Sequence, residues 1–274
     1  MKKETIAFVV TIAALFLVMT GVYYWISESS GVDPPFTVIE SESMQHDDES
    51  QIGVIDTGDM MLVKDPDKTQ IVTYVEGYQT GYSSFGEYGS VIVYERPGLN
   101  PVIHRAFVWL EYNGDGTWSA ESLAGYDSTL WKCISDDVEI TDYTSLKGIL
   151  YFYSVGEFNK STLYLNLDLL STYNPESGYV TLGDNVTNPQ FDQSSGINNS
   201  LVQYDEIRSV AWKEIPWLGV IKLYINGNTD NLNEWASNSL PNLIVMFTLV
   251  ILVVVALNYI FEEALMMYRR RILG

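Results

Sequence analysis

Two long uncharged runs bracket the chain. Ile6 to Ile26 (IAFVVTIAALFLVMTGVYYWI) carries no charge over 21 residues, and Leu243 to Phe261 (LIVMFTLVILVVVALNYIF) carries none over 19. A helix of about 20 apolar residues matches the roughly 30 Å hydrocarbon core of a bilayer. Both runs are therefore expected to be transmembrane helices. Tyr23, Tyr24 and Trp25 mark an end of the first, and Tyr259 and Phe261 an end of the second, where such rings favour the headgroup region. The first run is longer than the apolar part of a cleaved secretory signal and no small-x-small site follows it, so it reads as a retained anchor.

Between the two runs the pattern shortens. Thr37-Val38-Ile39, Met60-Met61-Leu62-Val63, Ser90-Val91-Ile92-Val93-Tyr94, Pro101-Val102-Ile103 and Ile149-Leu150-Tyr151-Phe152-Tyr153 are apolar or β-branched stretches of strand length. Turn-forming pairs lie among them: Thr57-Gly58, Pro97-Gly98, Asn113-Gly114 and Asn226-Gly227. The pattern predicts a mainly β domain, with no long helical periodicity outside the two spans and no internal repeat. Residues 27–35 (SESSGVDPP) read as a polar linker, which puts Ser43 17 residues past the first span. Residues 226–242 are polar and Asn-rich and lead into the second span. Residues 111–178 are rich in Tyr, Ser and Asp and read as an appended lobe, or more plainly as further short strands joined by loops.

Charge sets an orientation. Lys2 and Lys3 precede the first span, and Arg269, Arg270 and Arg271 follow the second. Cations stay on the cytoplasmic side, so both termini are expected inside and residues 27–242 outside. The external part then holds ten cations against 32 carboxylates, a balance of −22. Such a surface repels nucleic acid and anionic lipid and suits surroundings where salt screens self-repulsion. One cysteine, Cys133, allows no internal disulfide. A domain of this length holds together by core burial alone. The chain has neither a Cys/His metal pattern nor a phosphate-binding glycine loop, and no cofactor is expected.

Candidate chemistry is sparse. The chain has two histidines. His46 sits in the acidic stretch Gln45-His46-Asp47-Asp48-Glu49 and is expected to be solvated, whereas His104 follows an apolar run. A serine becomes nucleophilic near neutral pH through a neighbouring base, and a histidine needs an acid to fix its tautomer. Gly183-Asp184-Asn185 and Phe191-Asp192-Gln193 offer two carboxylates in one loop. The residues alone leave open which of them reaches His104. Ala211 to Ile221 holds Trp212 and Trp217 in apolar company, which fits a lipid interface or a core strand with a proline kink. Asn159-Lys160-Ser161, Asn185-Val186-Thr187 and Asn198-Asn199-Ser200 are glycosylation acceptors.

Four segments in order carry a family likeness: Ser41-Glu42-Ser43-Met44, Gly58-Asp59-Met60-Met61-Leu62-Val63, Ile103-His104-Arg105, and Gly183-Asp184-Asn185 through Asp192. With them the chain resembles type I signal peptidases of the archaeal and endoplasmic-reticulum kind, which use histidine where bacterial forms use lysine. The resemblance implies Ser43 as nucleophile and His104 as general base, with Asp192 orienting the imidazole and Asp184 a structural or secondary acid. It also implies an oxyanion hole from the Ser43 N–H and the Ser41 hydroxyl.

The implied fold is a β catalytic domain built from residues 27–110 and 179–242. Residues 111–178 would be inserted in it, and segments 1–26 and 243–274 would anchor it. The implied partners are the signal peptides of secretory precursors, the lipid bilayer and protein-translocation machinery. Cleavage would follow small residues in an Ala-x-Ala pattern. The chain departs from the family in carrying His46 where proline is usual, in spacing Asp184 and Asp192 more widely, and in the long stretch between His104 and Asp184. Two rivals remain: a non-catalytic anchored surface domain, and a peptidase specialised for one class of surface protein.

Overall fold

The computed structural model describes residues 3–156, 160–185, 187 and 189–273. Lys2, and Asn159 and Val186 of two acceptor triplets, lie outside them. So do the side chains of residues 3–11, Phe261, Glu262 and Arg269 to Arg271. The chain is mixed but sheet-rich, 29% strand and 34% helix. The helical share exceeds what a mainly β reading anticipates, and much of it belongs to two helices, α1 (Lys3–Ser30) and α7 (Ser239–Leu273).

Both long helices are apolar enough to cross a membrane. Leu17, Trp25, Ile251 and Val255 on them are exposed. A helix that is apolar and has little protein against it is compatible with a membrane environment. The expected linker at 27–35 is shorter than its composition suggests, because α1 continues to Ser30. The helix can end there because its last carbonyls are satisfied. Gly31 N–H returns to Ser27 O at 3.0 Å, and Lys68 Nζ donates to Glu28 O at 2.8 Å. Ser30, fully buried, ties the helix end to the sheet by donating to Val63 O at 2.6 Å.

The main sheet is antiparallel, in the order β1 (Phe36–Val38), β2 (Met60–Lys64), β13 (Ile207–Ile215), β5 (Val91–Arg96), β6 (Leu99–Tyr112) and β12 (Gly178–Leu182). β7 (Trp118–Ser119) pairs with the far end of β6. Pro97-Gly98 turns β5 into β6, with Gly98 at φ +72°, a conformation open to glycine at no steric cost. The resulting register sets Ile92 opposite His104 and Val91 opposite Arg105. β12 pairs only from Arg105 onward, so among the described residues β6 before His104 has one unpaired edge. Among the described residues the outer edge of β1 is unpaired as well.

A second antiparallel sheet, β11 (Ser161–Asn166), β10 (Ile149–Val155), β8 (Trp131–Ser135) and β9 (Val138–Ile140), forms the 111–178 lobe with helix α3 (Leu167–Tyr173). It shares one apolar core with the main sheet. Phe107 of β6 packs its ring 4.8 Å from Phe152 of the lobe, 4.8 Å from Phe191 and 4.9 Å from Tyr74. Tyr74 begins the short helix α2 (Tyr74–Thr80), which precedes the hairpin of β3 (Ser83–Ser84) and β4 (Glu87–Tyr88). α4 (Asp192–Ser195), α5 (Val220–Asn226) and α6 (Asp230–Trp235) complete the chain. Of the segment 211–221, Ala211 is a core residue of β13, and Trp212 is half-buried with Lys64 Nζ over its ring, 4.2 Å from the ring centroid.

Phe107→Ala removes the ring on which both sheets rest. It is expected to cost about 3–5 kcal/mol and to unfold lobe and main sheet in one transition by denaturant titration in detergent; two separate transitions would show independent folding units.

Candidate active site

Successive residues of a strand face opposite sides of the sheet, so β6 sends His104 and Arg105 in opposite directions. His104 is 2% exposed, and its Nδ1 lies 2.8 Å from each carboxylate oxygen of Asp192. Asp192 opens α4 and is itself fully buried. Its Oδ2 also accepts the Tyr94 hydroxyl at 2.7 Å and the Thr181 hydroxyl at 2.6 Å. Burial alone would push the Asp192 carboxyl up. The His104 imidazole and these hydrogen bonds outweigh it and hold the acid below the ordinary carboxylate range. Nδ1 is thereby engaged, which leaves Nε2 as the ring nitrogen available to a reactant.

Nε2 lies beside the Ser43 loop. A Cβ placed on Gly183 would meet Ser43 O at 2.5 Å and His104 Nε2 at 3.1 Å. Only glycine fits between them. The Ser43 turn is closed by Gln45 N–H donating to Glu42 O at 2.9 Å and held from the other side by Asn185. The Asn185 N–H donates to Ser43 O at 3.0 Å, and its Nδ2 donates to Glu42 O at 2.9 Å.

Ser43 and His104 both line a cleft of about 570 Å³ that runs between Thr37–Ser41 and Asn100–Ile103. These are the stretches next to the two unpaired strand edges. Ser43 Oγ lies 3.4 Å from Ser41 Oγ and makes no hydrogen bond to His104. Among the described residues, no protein group accepts the Ser43 N–H.

Asp184 sits on the other side. Arg105, fully buried, donates Nε to its Oδ1 at 2.8 Å and Nη2 to its Oδ2. Arg105 Nη1 reaches the carbonyls of Glu87, Tyr88 and Gly89 at 3.3, 3.1 and 2.8 Å. Burial again raises the Asp184 carboxyl, and Arg105, with help from His46, brings it below its ordinary value.

His46 departs from the solvated position expected of it. It is 8% exposed, with Nε2 3.5 Å from Asp184 Oδ2. Asp47, Asp48 and Glu49 stay in water, while the ring turns inward toward the carboxylate and packs on Gly86. An acidic neighbourhood in sequence did not determine the side on which the imidazole lies.

The loop after His46 is pinned by carboxylates accepting backbone N–H groups. Asp56 takes Gln51 at 2.6 Å, Glu214 takes Gly53 at 2.8 Å, and Asp59 takes both Asp56 at 2.9 Å and Trp217 at 2.8 Å. Burial pushes Asp59 well above the usual range, Asp56 to about 6 and Glu214 to about 7.

No family model, curated protein or solved structure matches the chain. Among the described residues no group of three or more His, Cys, Asp or Glu is placed to hold a metal ion. Of the five residues singled out by sequence, Ser41, Ser43, His104 and Asp192 gather at the cleft and behind it. Asp184 belongs to Arg105. Sequence reasoning missed Tyr94, Thr181 and Gly183 as supports. Thr181 and Gly183 carried a signal in their nearness to Asp184. Tyr94, 98 residues from Asp192, carried none.

Two outcomes are expected. Asp184→Asn leaves Arg105 buried without a counter-charge and should cost about 3–5 kcal/mol, read from its unfolding midpoint. Asp56 and Glu214 hold their protons more tightly folded than unfolded, so their contribution is full below the ordinary carboxylate range and is lost as pH rises through about 6 and 7. The melting temperature should therefore rise on going from pH 8 to pH 5, and Glu214→Gln should flatten that rise; an unchanged slope would refute the assignment.

Proposed function

We propose that the chain is a membrane-anchored serine endopeptidase that removes signal peptides from secretory precursors, with both termini cytoplasmic and residues 27–242 outside. One observation carries the reading: an imidazole whose Nδ1 is held by a buried carboxylate lines the same cleft as a serine, with Gly183 seated between that serine's carbonyl and Nε2. The order of the four sequence segments and the two long apolar helices support it.

In this mechanism Ser43 Oγ attacks the scissile carbonyl and passes its proton to His104 Nε2. Hydrogen bonds of this kind are often long without substrate and tighten when it binds. Asp192 stabilises the imidazolium and keeps the ring oriented. The Ser43 N–H and the Ser41 hydroxyl receive the developing oxyanion, each such donor contributing roughly 3 kcal/mol. His104 then returns the proton to the leaving amine as the C–N bond breaks. Water hydrolyses the acyl-enzyme through the same base. The precursor enters extended, as an added strand against the free edges of β1 and β6, with short side chains at the cut as in the family.

Ser43→Ala in the full chain should abolish cleavage of a membrane-inserted precursor while leaving membrane insertion intact. Asp192→Asn should lower kcat by about 10³–10⁴-fold through the wrong tautomer. Undiminished cleavage by Ser43→Ala would remove Ser43 from the chemistry, and failure of the wild-type chain to cut any precursor would favour a non-catalytic surface domain.

A further inference from the structure

The acceptor triplets are not equivalent in the fold. Asn185 is spent on the candidate site: its Nδ2 donates to Glu42 O, and its Oδ1 holds the N–H and hydroxyl of Thr187 at 2.8 and 2.6 Å. Asn198 is different. The Ser200 hydroxyl donates to Asn198 Oδ1 at 3.2 Å and the Ser200 N–H to the same oxygen at 3.4 Å. Asn185 has the same pairing with Thr187, but its Nδ2 is taken by Glu42 O, whereas Asn198 Nδ2 has no protein partner among the described residues. Asn198 is also only partly covered.

Beside it runs a groove of about 520 Å³ between α3, the end of β11 and α4, with Asn199 at its edge, within the size range of ligand sites. Tyr164 and Tyr173, 58% and 74% exposed, stand on its flanks. Leu169, Asn174 and Asn199 also line it, and among the described residues no charged one does. Asn174 Nδ2 donates to Asn199 O at 3.3 Å, so the groove adjoins the acceptor triplet. In a domain holding 32 carboxylates, an uncharged groove flanked by aromatic faces and amides matches an uncharged, hydroxyl-rich ligand. Ring faces take the C–H side of a sugar, and amides take its hydroxyls.

We propose that Asn198 is a glycosylation site and that the first residues of its saccharide lie in the Tyr164–Tyr173 groove. The donor is a lipid-linked oligosaccharide phosphate. A bond forms between Asn198 Nδ2 and sugar C1, the C1–O bond breaks, the phosphate leaves with the electron pair, and the amide loses one proton. The proposal rests on the external location of residues 27–242. It has a structural consequence for the candidate site. The Asn198 N–H donates to Asp192 O at 3.2 Å, and Ser194 Oγ donates to Tyr164 O at 2.9 Å. A sugar seated here braces α4, the element that presents Asp192 to His104.

Mass spectrometry of peptides from the full chain, purified from its own membrane, should find a saccharide on Asn198 and none on Asn185. Ser200→Ala and Asn198→Gln should both remove it. Tyr173→Ala should keep the saccharide but expose it, raising its release by an endoglycosidase roughly three- to tenfold, the factor for one aromatic contact. An unmodified Asn198 overturns the proposal, and precursor cleavage by the same preparation tells whether the peptidase reading falls with it. Equal release from wild type and Tyr173→Ala overturns the seating in the groove.

Discussion

A fully buried carboxylate is costly unless donors surround it, and Asp192 is surrounded. His104, Tyr94 and Thr181 converge on its two oxygens from β6, β5 and β12. The three strands are thereby locked in the register that brings His104 to the cleft. Removing one donor would leave a buried lone pair, so each support matters beyond its own bond energy. The arrangement fixes which nitrogen of His104 is engaged and which is available.

A parallel arrangement occupies the opposite face of β6. Arg105 is buried with Asp184 and three backbone carbonyls, and that pair fixes the loop that follows β12 through Gly183. Gly183 in turn sits where any side chain would collide with Ser43 O and His104 Nε2. Two buried ionic centres on adjacent residues, one facing the cleft and one facing the hairpin of β3 and β4, thus hold one loop against another. Close approach at Gly183 is the geometric result.

The lobe bears on the same region through packing. Phe107, on the site strand, touches Phe152 of the lobe and Phe191, the residue preceding Asp192. Burial of these rings sets the position of the acid from behind. The lobe is therefore part of the framework that presents Asp192, although it contributes no residue to the cleft.

Local chemistry made much of this legible. Uncharged runs of helix length marked α1 and α7, β-branched stretches marked β1, β2, β5, β6 and β10, and Pro97-Gly98 marked the β5–β6 turn, because each depends on neighbours in sequence. Thr73 and Glu76 cap α2 reciprocally, a spacing readable in the chain yet outweighed by the strand-like residues around it. The pairing of Asp192 with His104 came from the family likeness and not from local pattern, while the Arg105 partner of Asp184, the inward turn of His46 and the support from Tyr94 were not legible. They join positions far apart in sequence, and which carboxylate meets which cation is settled only when strand register and burial decide what must be neutralised. The chain by itself determined its two apolar helices, five of its strands and the residue types able to do chemistry; the tertiary structure decided which of them meet, because a contact across the sheet is set by packing and desolvation and leaves no trace in local pattern.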